Sequence, residues 1–380
     1  MPAVRILVCA SEAPRAPLNG SRLVLYELCS RLARTESVTV VALRHPDQIG
    51  DPPEGIELIE LPYASVGAID RLTALVRREP VEARPLAAPF LRFLPGWLSS
   101  RSFDVAHAML GSLALIAPAL GALPAVIAPL DAWHRNVRAE AASASGLERA
   151  WRLTQERAVR RFEARAYRPY RGVVLVTESD AAALDPALPL ATIPNGVDAA
   201  HFAPDGRPRA GILFTGALDA PANEQAALRL ALGVLPRVRE AIPDASLSLV
   251  GRSPGPRLRE LDGVQVIADV PDLRPYLWGA AVYACPMVSG TGIKNKLLEA
   301  LAAGAPAVAT PLACQGLTVD GRIRVASDDA GLAAEIVALL RDRDAATRMA
   351  EAARAYVRGH HDWDAVAAAY HAVYERAIAA

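Results

Sequence analysis

Short apolar runs alternate with segments of helical periodicity along the whole chain. In the first half the runs fall at residues 4–10, 38–43, 56–61, 105–109, 125–130, 173–177 and 191–193. In the second half they fall at 211–215, 246–250, 264–268, 282–286, 307–310 and 322–326. Amphipathic or charged stretches, including 21–34 and 148–168, lie between many of them. Continuous apolar strands spaced by helices belong to parallel sheets covered on both faces. Two such series predict an α/β chain of two doubly wound, Rossmann-like domains. A turn-rich segment from Pro194 to Pro208 separates the series and puts the domains at 1–200 and 208–360. Residues 361–380 read as a helix with Val366, Tyr370, Val373 and Tyr374 on one face. It is expected to cross back onto the first domain. The two domains are expected to face each other across a cleft, with ligands at the loops that follow the strands' carboxyl ends.

Composition narrows the classes. The chain has 380 residues, 52% of them hydrophobic, and 41 basic residues balance 41 acidic ones. A net charge of zero argues against a nucleic-acid binder, which would carry a basic excess. The four cysteines (Cys9, Cys29, Cys285, Cys314) show no paired spacing, and most lie in apolar runs. Buried free thiols, and hence a reducing, cytoplasmic setting, are expected. The chain enters its first strand without a basic stretch and long apolar run before it, so no targeting segment is expected. The least polar stretch, 110–129, is broken by two glycines and three prolines and does not read as a membrane span.

The cationic chemistry is concentrated in one place. Lys294 and Lys296 are the only lysines; every other basic residue is arginine. Both fall in Ser289-Gly-Thr-Gly-Ile-Lys-Asn-Lys-Leu-Leu-Glu299. Lysine is a slim point charge, arginine a broad planar fork. A helix over 293–303 is predicted, with Gly290, Thr291 and Gly292 as the turn before it and Gly304 and Pro306 as its stop. Cations at a helix start oppose the dipole, while open backbone N–H groups point outward there. Lysines, free amides and flexible glycines together describe an anion site, most simply for phosphate. The alternative is a solvated helix start in which Lys296 pairs with Glu299.

Neighbouring classes are poorly supported. The loop after the first strand lacks Gly-x-Gly-x-x-Gly, and neither a P-loop nor a Gly-x-Ser-x-Gly elbow occurs. The histidines lack metal-ligand spacing.

The segment Gly290-Thr-Gly-Ile-Lys-Asn-Lys-Leu-Leu-Glu299 through Thr310 resembles the donor-site signature of group-1 glycosyltransferases, the family-4 class of the GT-B fold. Other segments agree in order: Phe103-Asp-Val-Ala-His107, Thr177-Glu-Ser-Asp180, Pro194-Asn-Gly-Val-Asp198, Leu249-Val-Gly-Arg252, Val270-Pro-Asp272 and Trp363. The Ile-Lys-Asn-Lys form looks most like transferases of bacterial exopolysaccharide loci. The resemblance implies a retaining transferase that takes a sugar from a nucleoside diphosphate sugar to a hydroxyl acceptor. It implies that Glu299 holds the ribose hydroxyls and that the loop Gly290–Ile293 with Lys294, Asn295 and Lys296 receives the diphosphate. Gly20, Gly216, Arg252 and Val270 complete the expected donor set. Arg22 either adds charge to the phosphates or faces solvent.

Two departures from the family pattern stand out. Thr291 occupies the place of an acidic residue eight positions before Glu299. Ala217 and Asn223 stand where the family often has Arg and Lys after the first strand of the second domain. The hypothesis is that Lys294, Lys296 and Arg252 take over that charge. Asp131 and His107, at strand ends of the first domain, are candidate catalytic residues with Lys294; Asp131 reads equally as a helix cap, and His107 equally as packing. The segment 69–103 mixes six arginines with Phe90, Phe93, Leu94 and Trp97. It reads as an acceptor-side insertion with its aromatics inside, the alternative being weak contact with anionic lipid. The acceptor is a glycan, a lipid-linked sugar or a small molecule, and no cofactor or metal is expected, since no Asp-x-Asp accompanies the loop. A degenerate domain without transfer, and a nucleotide-sugar epimerase on the same fold, are the competing readings.

Overall fold

The computed structural model describes all residues except 1, 2, 17, 19, 64 and 291. It divides into two compact units, residues 1–195 with 363–380, and residues 196–362. The first unit ends at Asn195 rather than 200, and the second runs from Gly196 to Asp362 rather than from 208 to 360.

The first unit holds a seven-stranded sheet: β1 (Arg5–Ala10), β2 (Ser37–Arg44), β3 (Ile56–Pro62), β4 (Val105–Met109), β5 (Ala125–Leu130), β6 (Gly172–Leu175) and β7 (Leu190–Thr192). Their order is β3-β2-β1-β4-β5-β6-β7, parallel throughout. The second unit holds β8 (Ala210–Ala217), β9 (Leu247–Arg252), β10 (Gln265–Ala268), β11 (Ala280–Cys285), β12 (Ala307–Ala309) and β13 (Arg324–Val325). Their order is β10-β9-β8-β11-β12-β13, again parallel. Every apolar run read as a strand forms one. The reason is visible in the central strands: Ile6 to Cys9 of β1 and Val282, Tyr283 and Cys285 of β11 are wholly buried, as strands covered on both faces must be.

In each sheet the strand order reverses once, between β1 and β4 and between β8 and β11. Ligands of open parallel sheets bind at such reversals, outside the carboxyl ends of the strands. Backbone strain collects there too. Leu110, Leu130, Ser253 and Asp269 have positive φ angles of 76°, 70°, 50° and 51°, and each lies at or just past the end of β4, β5, β9 or β10. Side chains other than glycine hold such angles only where the surroundings impose them, and functional rims are a common location.

The C-terminal helix Trp363–Ala379 belongs to the first unit. It packs against β4, β5, β6 and the helix Gly20–Leu32. Trp363, Tyr370 and Tyr374 are buried along it. The two passes of chain between the units run side by side, with the Val197 amide donating to the His361 carbonyl at 2.7 Å.

This packing corrects one expectation. His107 lies in the middle of β4 with no exposed surface. Its Nδ1 is hydrogen-bonded to the Tyr374 hydroxyl at 2.8 Å, its ring stacks on Tyr370, and its Nε2 has no partner. A ring sealed under the C-terminal helix cannot reach a substrate, so His107 is a packing residue. Burial holds it neutral, with its pKa pushed down from 6.5 to about 4. Between these values the unfolded chain binds a proton that the folded unit refuses. Stability is therefore intact above 6.5 and falls as the pH drops towards 4, by about 3 kcal/mol for one group shifted this far. Replacing His107 with Phe should flatten that acid-side slope in unfolding titrations and leave nucleotide binding unchanged. A loss of donor binding on replacement would restore the catalytic assignment.

Candidate functional site

The rim of the second sheet carries the lysine loop. The helix that follows β11 runs from Asn295 to Ala302, two residues shorter at its start than expected, and Lys294 is its N-cap. Gly290 and Gly292 take φ angles of 101° and 67°, so the turn needs glycine at both places. Thr291 lies outside the described residues. Ile293 and Lys294 are buried; Leu297, Leu298 and Leu301 form the face that anchors the helix in the core.

The two lysines behave differently. The Lys294 ammonium folds back and donates to the Gly292 carbonyl at 2.8 Å, bracing the glycine turn. Lys296 points along the sheet rim towards β8. Its ammonium donates to the Asn223 side-chain carbonyl and lies 5.1 Å from the centre of the Phe214 ring. Asn223 in turn donates to the Ala217 carbonyl at 2.8 Å. A Cβ placed on Gly216 would come within 2.9 Å of the Lys296 ammonium, so glycine there makes room for the cation. Asn223, which read as a lost charge, is the residue that holds the incoming lysine. That contact spans 73 residues and has no local signal in the sequence.

Glu299 sits one turn further along the same helix. Burial pushes its carboxyl up from 4.5 to about 7, against the pull of Lys296. Burial also lowers the Lys296 ammonium from its usual value. In place of the alternative reading, a surface pair at a solvated helix start, the rim holds a desolvated cation and carboxyl. Arg252 is exposed at the end of β9, and Val270 follows β10 on the same side. The β9 end is tied down by Asp269, whose carboxylate accepts from the Ser253 amide at 3.0 Å.

On the first unit, Gly20 opens the helix after β1 with a φ of 47°. Arg22 neither faces solvent nor offers its charge: it is buried and pairs with Glu12 at 2.8 Å and Asp47 at 3.0 Å. Asp131 follows β5 and accepts a long 3.4 Å contact from Asn136. It is not the cap of the next helix, Trp133–Ser143, whose N-cap is Ala132. The capping is done from a distance: buried Glu163 accepts from the Trp133 amide at 2.7 Å and engages His134 Nδ1 at 2.6 Å. Asp131 is therefore left on the rim as a candidate, and the Glu163–His134 pair that fixes the helix behind it was not foreseen.

Comparison with known proteins identifies the family and the fold. A family model described as Glycosyltransferase Family 4 matches residues 18–201, and one described as Glycosyl transferases group 1 matches residues 209–342. The chain belongs to the group-1, family 4 glycosyltransferases. Its fold is that of the GT-B class. A sucrose-phosphate synthase from Thermosynechococcus elongatus matches with a TM-score of 0.74 over 99% of both chains at 17% identity. The Anabaena HepE protein, in a structure with UDP and glucose, matches with a TM-score of 0.68 at 13% identity, covering 98% of this chain and 99% of that one. Among curated proteins, the phosphatidyl-myo-inositol mannosyltransferase of Mycolicibacterium smegmatis is 36% identical over 201 residues. That alignment covers 48% of this chain and 51% of the relative. A GDP-mannose-dependent alpha-(1-6)-phosphatidylinositol monomannoside mannosyltransferase of Mycobacterium tuberculosis is 32% identical over 225 residues, 50% of this chain and 56% of the relative. The chain thus spans about half the length of the curated relatives it matches.

Proposed function

We propose that this family-4 chain moves a sugar from a nucleoside diphosphate sugar to a hydroxyl acceptor, with retention of anomeric configuration. The observation that carries the reading is the rim of the second sheet, where Lys296, the glycine turn and Glu299 converge. Glu299 as carboxylate accepts from the two ribose hydroxyls. The amides of the turn and the Lys296 ammonium face the diphosphate. As the sugar departs, negative charge grows on the diphosphate, and cations fixed there stabilise the transition state more than the ground state. Gly216, Arg252, Val270, Ile293, Lys294 and Asn295 serve this site by shape, bracing and charge. Charge compensation by the protein's own cations calls for no divalent metal. The names of the curated relatives favour mannose from GDP-mannose as the donor.

The acceptor is proposed to be lipid-linked. The helix Ala68–Arg77 buries only Ala74. Ile69, Leu72 and Val76, on one face, are 81%, 64% and 76% exposed. Arg71, Arg77 and Arg78 flank them, and Arg161 and Arg165 adjoin the last two. An apolar stripe edged with arginines suits an anionic bilayer surface. The aromatic part of the segment packs inside as expected, with Phe90 and Leu94 fully buried; its preceding helix does not. No helix among the described residues is long and apolar enough to cross a membrane. This fits peripheral attachment at the cytoplasmic face.

The test is turnover of radiolabelled GDP-mannose in EDTA, with and without phosphatidylinositol vesicles. Label moving into lipid supports the reading. Release or isomerisation of the sugar without acceptor favours an epimerase, and nucleotide binding without any turnover favours a degenerate domain. Double replacement of Ile69 and Val76 by Ser should abolish co-sedimentation with the vesicles while leaving nucleotide binding intact.

A further inference from the structure

A cavity of about 570 Å³ lies wholly within the first unit, between the helices Trp133–Ser143 and Gly146–Ala166 and the segment around Glu82. Trp133, Val137 and Glu140 project into it from one helix face, and Trp151 and Arg152 from the other. Its position is defined by the pair noted above: Glu163 fixes the Trp133 amide, and the Trp133 ring meets Phe162 edge-on at 6.1 Å. The cavity therefore begins two residues beyond Asp131, at the end of β5.

The lining is specific in its chemistry. Two indoles and several valines give it apolar walls, and three carboxylates stand among them. Arg152 is taken up by Glu140 and by Glu148, the latter at 2.9 Å. Arg71 also lines the cavity, so three carboxylates face two arginines, and Glu82, exposed at the mouth, forms no ion pair with either among the described residues. An anion would meet this excess of carboxylate unfavourably. A purely apolar ligand would desolvate the Glu82 carboxylate without compensation. A polyhydroxylated ring satisfies both demands: its C–H faces lie on indole, and its hydroxyls donate to carboxylate.

We infer that this cavity seats an uncharged sugar or cyclitol ring of the acceptor. The inference rests on the transferase reading and specifies the acceptor end of it. Any phosphate of the acceptor stays at the mouth, beside Arg71, which lines the cavity from the Ala68–Arg77 helix.

The full-length chain would be titrated with methyl α-mannoside and with myo-inositol, following tryptophan fluorescence, and in parallel with 1-hexanol and inorganic phosphate. The expected result is saturable binding of at least one hydroxylated probe, weakened about tenfold in both Trp151→Ala and Glu82→Ala. Glu82 lies at the surface, so its variant should fold normally. Binding of hexanol or phosphate alone, no saturable binding, or binding unaffected by Glu82→Ala would overturn the assignment. A thermal-shift response to nucleoside diphosphate in the same samples separates the two failures. If it persists in the wild type and both variants, the donor site stands while the cavity assignment falls.

Discussion

Replacing Lys296 with Met should weaken nucleoside diphosphate binding by about 100-fold, the cost expected when one partner of a desolvated charge pair is removed. The corresponding monophosphate should lose far less, because the ammonium lies beside Gly216 and Asn223, where the second phosphate would come. Lys296→Arg should not rescue the loss. The ammonium sits between the Gly216 backbone, the Asn223 amide and the Phe214 ring, and a planar guanidinium is too broad for that slot. This gives a physical reason for the presence of two lysines in a chain otherwise committed to arginine. Calorimetric titration with GDP, UDP and their monophosphates reads the outcome. Equal losses for mono- and diphosphates would place the lysine elsewhere than beside the diphosphate.

Glu299→Gln should have an effect of similar size and a distinct dependence on pH. The carboxyl titrates near 7 in the free protein because it is buried, and only the ionised form accepts from two hydroxyls. Nucleotide affinity should therefore rise with pH through about 7 and level off above it. The Gln variant should be weak and flat across the same range. Folding responds in the opposite sense. The folded value lies above the unfolded value of 4.5, so the neutral carboxyl favours the folded unit below 4.5, and this contribution is lost as the pH rises through 7. The variant should thus be more stable than the wild type at pH 8 and no more stable at pH 4. A variant that binds nucleotide as well as the wild type at every pH would remove Glu299 from the site.

Much of this was legible in the order of residues. Strand placement followed from apolar runs because parallel strands buried on both faces leave no other pattern, and Ile6–Cys9 and Val282–Cys285 show it directly. The lysine loop announced itself through composition and helix-start chemistry. What stayed hidden depends on contacts between distant segments. Asn223 looked like a missing cation until the fold brought Lys296 to it. His107, at a strand end, read equally as catalytic or as packing until Tyr370 and Tyr374 of the last helix covered it. Arg22 looked free until Glu12 and Asp47 closed on it. The helix start was misplaced by two residues because the glycine turn continues through Ile293, its last bend braced by the Lys294 side chain. The apolar face of Ala68–Arg77 was underestimated because its sequence carries the same arginine and leucine mixture as the buried helix after it, and only packing distinguishes the two.

The most direct test of the central claim is a thermal-shift measurement of the wild type and Glu299→Ala with GDP, GDP-mannose, UDP and UDP-glucose. A nucleotide that binds only the folded chain raises its melting temperature in proportion to the logarithm of its concentration over Kd. The account predicts stabilisation by one base family, GDP and GDP-mannose first, lost in the variant. No shift with any of the four, or the same shift in both proteins, would contradict it.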